Sequence, residues 1–163
     1  MTTLTQEKIT FKKSEMEIYA YYLSTGIAVA SVNVHPNLYQ MGLLEGFSVY
    51  IGRYADPLAS EKVKLNPIPK WANPYLMDKW DGERDGDRPM VLRKYLNYFL
   101  ASPELAKDSK GLMGNILFCH CKSATMKHYN DANYRCHGDI LMASAKGIDL
   151  NRYSANLEEL WEL

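Results

Sequence analysis

Two short apolar runs constrain this chain more than any other feature. Phe47-Ser48-Val49-Tyr50-Ile51 is bounded by Gly46 and Gly52, and Asn115-Ile116-Leu117-Phe118-Cys119-His120-Cys121 follows Gly111 and Gly114. Their length, β-branched content and flanking glycines predict strands. Between them lies a long connection that carries the best-patterned helix of the sequence. Asp87 suits its N-cap, and Pro89 fits the first turn, where backbone N–H groups have no intrahelical acceptor. Val91, Leu92, Tyr95, Leu96 and Phe99 then recur at steps of three and four, giving one apolar face. Strands joined by a long, helix-bearing connection pair in parallel, since a crossover needs a dozen or more residues.

The remaining segments fit around that unit. A short helix is expected near Pro103–Lys107, another from Gly138 to the closing Gly147, and one or two helical turns over Leu157–Leu163. Ile18 to Val34 is apolar and broken at Gly26, which predicts strand–turn–strand with a buried helix as the alternative. Residues 1–17 read as a loose arm or short edge element. Residues 54–86, with Pro57, Pro67, Pro69 and Pro74, read as a long loop of the kind that carries function. The expected architecture is α/β: a small single domain over residues 47–163 with a mostly parallel central sheet flanked by helices. Residues 1–46 form an N-terminal extension packed on it. Ligands of such sheets bind beyond the carboxyl ends of the strands.

Composition narrows the function classes. With 163 residues, 47% of them hydrophobic and 23% charged, the chain has one domain's worth of core and is not disordered. Nineteen basic residues balance nineteen acidic ones, so the basic excess of a non-specific nucleic-acid binder is missing. The twelve tyrosines are therefore assigned to packing rather than to base stacking. No apolar run approaches the ~20 residues that span a bilayer, and no signal-peptide segment follows the first lysines, so no membrane contact and a cytoplasmic location are expected. Three cysteines fit a reducing compartment.

Those cysteines form the most informative group. Cys119 and Cys121 stand two apart on a predicted strand, so their side chains share a face. Cys136 and His137 follow a 14-residue loop and open a helix. Cys119, Cys121, Cys136 and His137 would suffice for a tetrahedral zinc site, with His120 and His128 in reserve. A second reading makes Cys136 a reactive thiolate activated by the helix amino terminus. A third has all three thiols simply packed. The acidic run Asp81, Glu83, Asp85, Gly86, Asp87 partly mimics a calcium loop. Its twelfth position falls on the apolar Leu92, so a solvated turn feeding the helix is favoured.

Tyr50-Ile51-Gly52-Arg53, Trp71-Ala72-Asn73-Pro74, Arg84-Asp85-Gly86-Asp87-Arg88, Cys119-His120-Cys121 and Cys136-His137-Gly138-Asp139 together resemble one family. It is the domain-of-unknown-function family numbered four-three-two-six, found in bacteria and bacteriophages. The resemblance covers roughly residues 47–147. Ala72 stands where that family has glycine and His120 where it has tryptophan, and the loop from Cys121 to Cys136 is longer here. The resemblance implies a fold family and candidate positions, and a host-cytoplasm location for a phage-encoded member. It implies no activity.

The side chains themselves suggest a ligand. Arg53, Arg84 and Arg88 offer planar forks for phosphate or carboxylate, Trp71 a stacking face, and Asn73 both a donor and an acceptor. Asp87 and the helix starts at Arg88 and Gly138 add amide dipoles. The expected function is binding, and where chemistry follows processing, of a small anionic nucleotide-like ligand, with Asp139 and His137 as acid/base groups. The alternative is a non-enzymatic inhibitor or scaffold, stabilised by a structural zinc, that contacts a protein partner or a second copy.

Overall fold

The computed structural model describes residues 10–52, 70–75, 86–120, 122 and 128–163. In chain order it contains α1 (Lys13–Thr25), β1 (Ala28–Ser31), α2 (Pro36–Glu45), β2 (Ser48–Tyr50), α3 (Arg88–Leu100), α4 (Pro103–Ser109), β3 (Ile116–Cys119) and α5 (His137–Ala145). Short 3-10 turns follow at Lys110–Leu112, Ala132–Tyr134, Leu150–Tyr153 and Leu157–Glu162.

The three strands form one parallel sheet in the order β1-β3-β2. Tyr50 pairs with Phe118 and Ser31 with Cys119, so the two runs expected to be parallel neighbours are so, with β3 in the middle. All four residues of β3 are buried, as a central strand covered on both faces requires. Neighbouring residues of a strand point to opposite faces. The Phe118 ring meets Tyr39 of α2 at 4.8 Å, while the Cys119 sulfur lies 3.6 Å from that of Cys136, beside α5. Helices α2 and α5 therefore cover opposite faces. Helix α1 packs with α2 and on β1, and α3 and α4 pack with α5. The chain is thus a small α/β domain with a parallel sheet flanked by helices.

Helix α3 follows its sequence signals closely. Asp87 accepts the Met90 N–H at 3.0 Å, and Val91, Leu92, Tyr95, Leu96 and Phe99 are all buried. The expected strand–turn–strand over 18–34 is instead the helix α1 followed by the single strand β1. Phe11, Glu15, Ile18 and Tyr22 recur at steps of four, three and four, and a glutamate within that stripe masks the helical period. Glu15 is nonetheless wholly buried, because its carboxylate accepts the backbone N–H of Lys12 at 3.0 Å and of Leu38 at 2.7 Å. It caps its own helix and also serves the first turn of α2, whose N-cap residue His35 supplies no side-chain bond. Gly26 closes α1 at φ 85°, a left-handed conformation that favours glycine.

Candidate functional site

Helix α5 starts where the strands end. Cys136 is its N-cap, with Sγ 3.3 Å from the N–H of Gly138. The ring of His137 meets the carbonyl of Ile51, directly after β2, through Nε2 at 2.8 Å. A carbonyl only accepts, so His137 carries a proton on Nε2. Gly138 permits this approach: a Cβ there would meet Val29 Cγ1 at 2.7 Å and Ile51 Cδ1 at 2.8 Å. The absent side chain lets the helix amino terminus press against β1 and the end of β2.

The amino terminus of α3 reaches the same region. Arg88 Nη1 donates to the carbonyl of Arg135 at 2.7 Å, one residue before the N-cap of α5. Two turns along α3, the buried Tyr95 donates its hydroxyl to the Trp71 carbonyl at 2.9 Å and sets its ring edge-on to His137 at 5.2 Å. Asn73 Oδ1 accepts the Tyr75 N–H at 2.9 Å, and its amide reaches the Val91 carbonyl at 3.5 Å. Trp71, Asn73, Arg88 and His137 are thereby tied to one another through α3.

Beneath them lies a charge cluster. Asp139 is buried, and its carboxylate faces Lys122 Nζ at 3.2 Å, Arg135 Nη1 at 3.2 Å and the Cys136 N–H at 2.8 Å. Lys122 is likewise wholly buried; it also donates to the Tyr129 carbonyl at 2.7 Å and lies 4.4 Å from that ring's centre. Burial, and after it the sulfur of Cys136, pushes the Asp139 carboxyl above the ordinary carboxylate range, while Lys122 and Arg135 pull it back.

Trp71, Asn73, Arg88, His137 and Asp139 are thus linked by hydrogen bonds, ring contacts or short stretches of chain, and Asp87 is the exposed N-cap of α3. Arg53, Arg84 and Cys121 lie outside the described residues, as do residues 81–85 of the acidic run. Cys119 and Cys136 are buried, with no disulfide among the described residues. Their 3.6 Å separation matches the edge of a tetrahedron with metal–sulfur bonds of ~2.3 Å, about 3.8 Å. Among the described residues no group of three or more His, Cys, Asp and Glu side chains is placed to hold a metal ion. Sequence reasoning missed Lys122, Tyr129 and Arg135. The one signal available was Arg135 four residues before Asp139 at a helix start, the spacing of a local ion pair.

Among the described residues no helix is long and apolar enough to cross a membrane. No curated protein and no solved structure matches the chain. Residues 40–147, which hold every residue of the strand-end group, match the family described as Domain of unknown function (DUF4326), and the chain belongs to that family.

Proposed function

We propose that the chain binds a small anionic, nucleotide-like ligand at the carboxyl ends of its strands, between the amino termini of α3 and α5. The observation that carries this reading is the Arg88–Arg135 hydrogen bond at 2.7 Å, which brings the two helix starts together beside Ile51 and Cys119. Helix starts carry a partial positive charge, and arginine adds a fork for phosphate or carboxylate oxygens. In this reading Arg53, Arg84 and Arg88 hold the anion, Asp87 orients the α3 terminus, and Trp71 and Asn73 receive the body of the ligand. His137 and Asp139 supply acid/base chemistry where the bound ligand is processed. The raised proton affinity of Asp139 suits that role. The test is thermal denaturation against a panel of nucleoside mono-, di- and triphosphates and their unphosphorylated nucleosides. A ligand at about 100 times its Kd stabilises the native state by about 2.7 kcal/mol, so a phosphate-dependent rise in Tm is expected. No rise with any member would remove the pocket.

A second reading has its own observation, the Cys119–Cys136 sulfur spacing of 3.6 Å. Here the chain is an interaction module stabilised by a structural zinc, with Cys121 and His137 completing the ligand set. His137 would have to use Nδ1, since Nε2 is held by Ile51. Metal analysis of protein purified without added zinc decides it. About one zinc per chain, lost together with stability on chelation, is the result expected of such a site.

A further inference from the structure

Beyond the strand ends, α5 presents Asp139, Met142 and Ala143, with its C-cap Lys146, at helical spacing to a second cleft of about 280 Å3, which shares Asp139 with the strand-end group. Trp161 and Leu160 of the last 3-10 turn face them, with Tyr21 of α1 and the Asn130–Arg135 segment also lining it. The charges here do not balance. Lys122 and Arg135, both buried, share the single carboxylate of Asp139, and among the described residues neither pairs with a second one. Lys146 adds an exposed cation at the rim. Two buried cations on one side-chain carboxylate leave positive charge over at Arg135, which the backbone carbonyls and the chain end at Leu163, on the exposed rim of the cleft, compensate only in part. Buried charge without a counter-charge is costly, so a site of this kind favours an anion.

Arg135 gives the anion a place to dock. Its Nη1 is engaged by Asp139, its Nη2 makes a long 3.4 Å bond to the Asn130 carbonyl, and its Nε is buried with no hydrogen-bond partner among the described residues. The guanidinium lies 4.9 Å from the ring centre of Trp161, within reach of a cation–π contact. Nε and Nη2 form one edge of the fork, the edge that takes carboxylate or phosphate oxygens two at a time. A cleft of this volume lies at the small end of ligand pockets and suits a single-ring compound rather than a nucleotide. We propose that this cleft is a second binding site, for a small organic anion with a carboxylate or phosphate head paired to Arg135 and Lys146 and a flat body against Trp161.

The probes are benzoate, phenyl phosphate and the neutral benzamide, followed by tryptophan fluorescence and by Tm on the full chain. Titration runs to about 10 mM, where even a Kd of about 1 mM would saturate. We expect a saturable change with at least one of the two anions and none with benzamide, the tighter anion identifying the preferred head. Arg135→Ala would strand Asp139 with a single cation and risks unfolding, so the informative variants are Lys146→Gln and Trp161→Phe. Each should keep the wild-type Tm within a few degrees and weaken the anion about 3- to 10-fold, the scale of one ion pair or ring contact. No response to either anion overturns the proposal, as does an equal response to benzamide. Anion binding that persists unchanged in both variants also overturns it, because neither residue belongs to the strand-end group.

Discussion

The hydroxyl of Tyr129 accepts the backbone N–H of Val29 at 2.7 Å, across 100 residues of sequence. β1 pairs with β3 on one side only, so on its other side Val29 presents an N–H with no strand to bond. The tyrosine closes that edge and ties residue 129, ahead of α5, to β1. Tyr129→Phe should leave the buried N–H unsatisfied and cost about 1–3 kcal/mol, read as a fall in the denaturation midpoint. Burial, with the Asp139 charge second, also raises the Tyr129 hydroxyl well above its ordinary value. In a spectrophotometric titration one tyrosine should therefore ionise only as the protein unfolds in alkali. A variant as stable as the parent would show the edge bond to be dispensable.

The Asp139 cluster predicts an asymmetry between its members. Asp139→Ala leaves Lys122 and Arg135 buried without their carboxylate and should cost about 3–5 kcal/mol. Lys122→Met keeps the Arg135–Asp139 pair and replaces a buried ammonium with an apolar chain of similar length, so it should cost clearly less. Urea denaturation of both variants ranks them. Equal losses would mean that Lys122, not the charge balance, holds the loop.

Much of this architecture can be read from local pattern, and the residues that cannot share a cause. Helix α3 is legible because Asp87, Pro89 and a five-residue apolar stripe agree, and β3 because four consecutive residues are apolar. Helix α1 is not, since Glu15 is polar in sequence and becomes a core residue only when Leu38 of α2 offers its N–H. Lys122 and Tyr129 are equally opaque. A lysine after a strand reads as solvated, and its burial depends on Tyr129 and Asp139, which lie further along the chain. Asp139 and His137 stood out by chemistry, but nothing in the spacing shows that Asp139 neutralises two cations or that His137 is tied to Ile51. Partners far apart in sequence set the protonation state and burial of these side chains.

Gly138 sets helix propensity against packing. Alanine is intrinsically better in a helix by about 1 kcal/mol. Here its Cβ would lie 2.7 Å from Val29 Cγ1 and 2.8 Å from Ile51 Cδ1, well inside contact distance. Overpacking of this kind typically costs about 1–3 kcal/mol, so Gly138→Ala should be net destabilising. At this chain length each kcal/mol lowers Tm by about 2–4 °C. An unchanged or raised Tm would mean that α5 can retreat from the strand ends without loss.

His35 makes stability depend on acid. It is fully buried, neither ring nitrogen has a hydrogen-bond partner among the described residues, and burial lowers its pKa to about 4, against the opposing pull of Glu15. A folded-state value below the ordinary 6.5 means that the neutral ring is favoured in the fold. Its contribution is complete above pH 6.5 and is lost as pH falls towards 4. Asp139, shifted upward, acts in the opposite sense, so the comparison must be made between variant and parent at each pH. His35→Phe removes the titrating group without breaking a hydrogen bond. The gap in stability between His35→Phe and the parent should move in favour of the variant from pH 7 to pH 4.5. A constant gap over that range would exclude His35 as the source.

The proposed strand-end site makes the most direct demand on the arginines. The chain has no basic excess, so an anion bound there would be held by particular residues rather than by a general field. Arg53→Ala and Arg88→Ala should each weaken the ligand found by the nucleotide panel by about 1.5–3 kcal/mol, roughly 10- to 150-fold in Kd. Arg88 carries a second duty, its bond to the Arg135 carbonyl, so its loss should also cost about 0.5–1.5 kcal/mol of stability. Arg88→Lys separates the two roles. It restores a positive charge but not the planar fork, so affinity should recover only in part. Calorimetric titration and thermal denaturation of the three variants read affinity and stability independently. Unchanged affinity in both alanine variants would refute the site between α3 and α5, whereas unfolding of Arg88→Ala alone would assign that arginine to holding the two helix starts together.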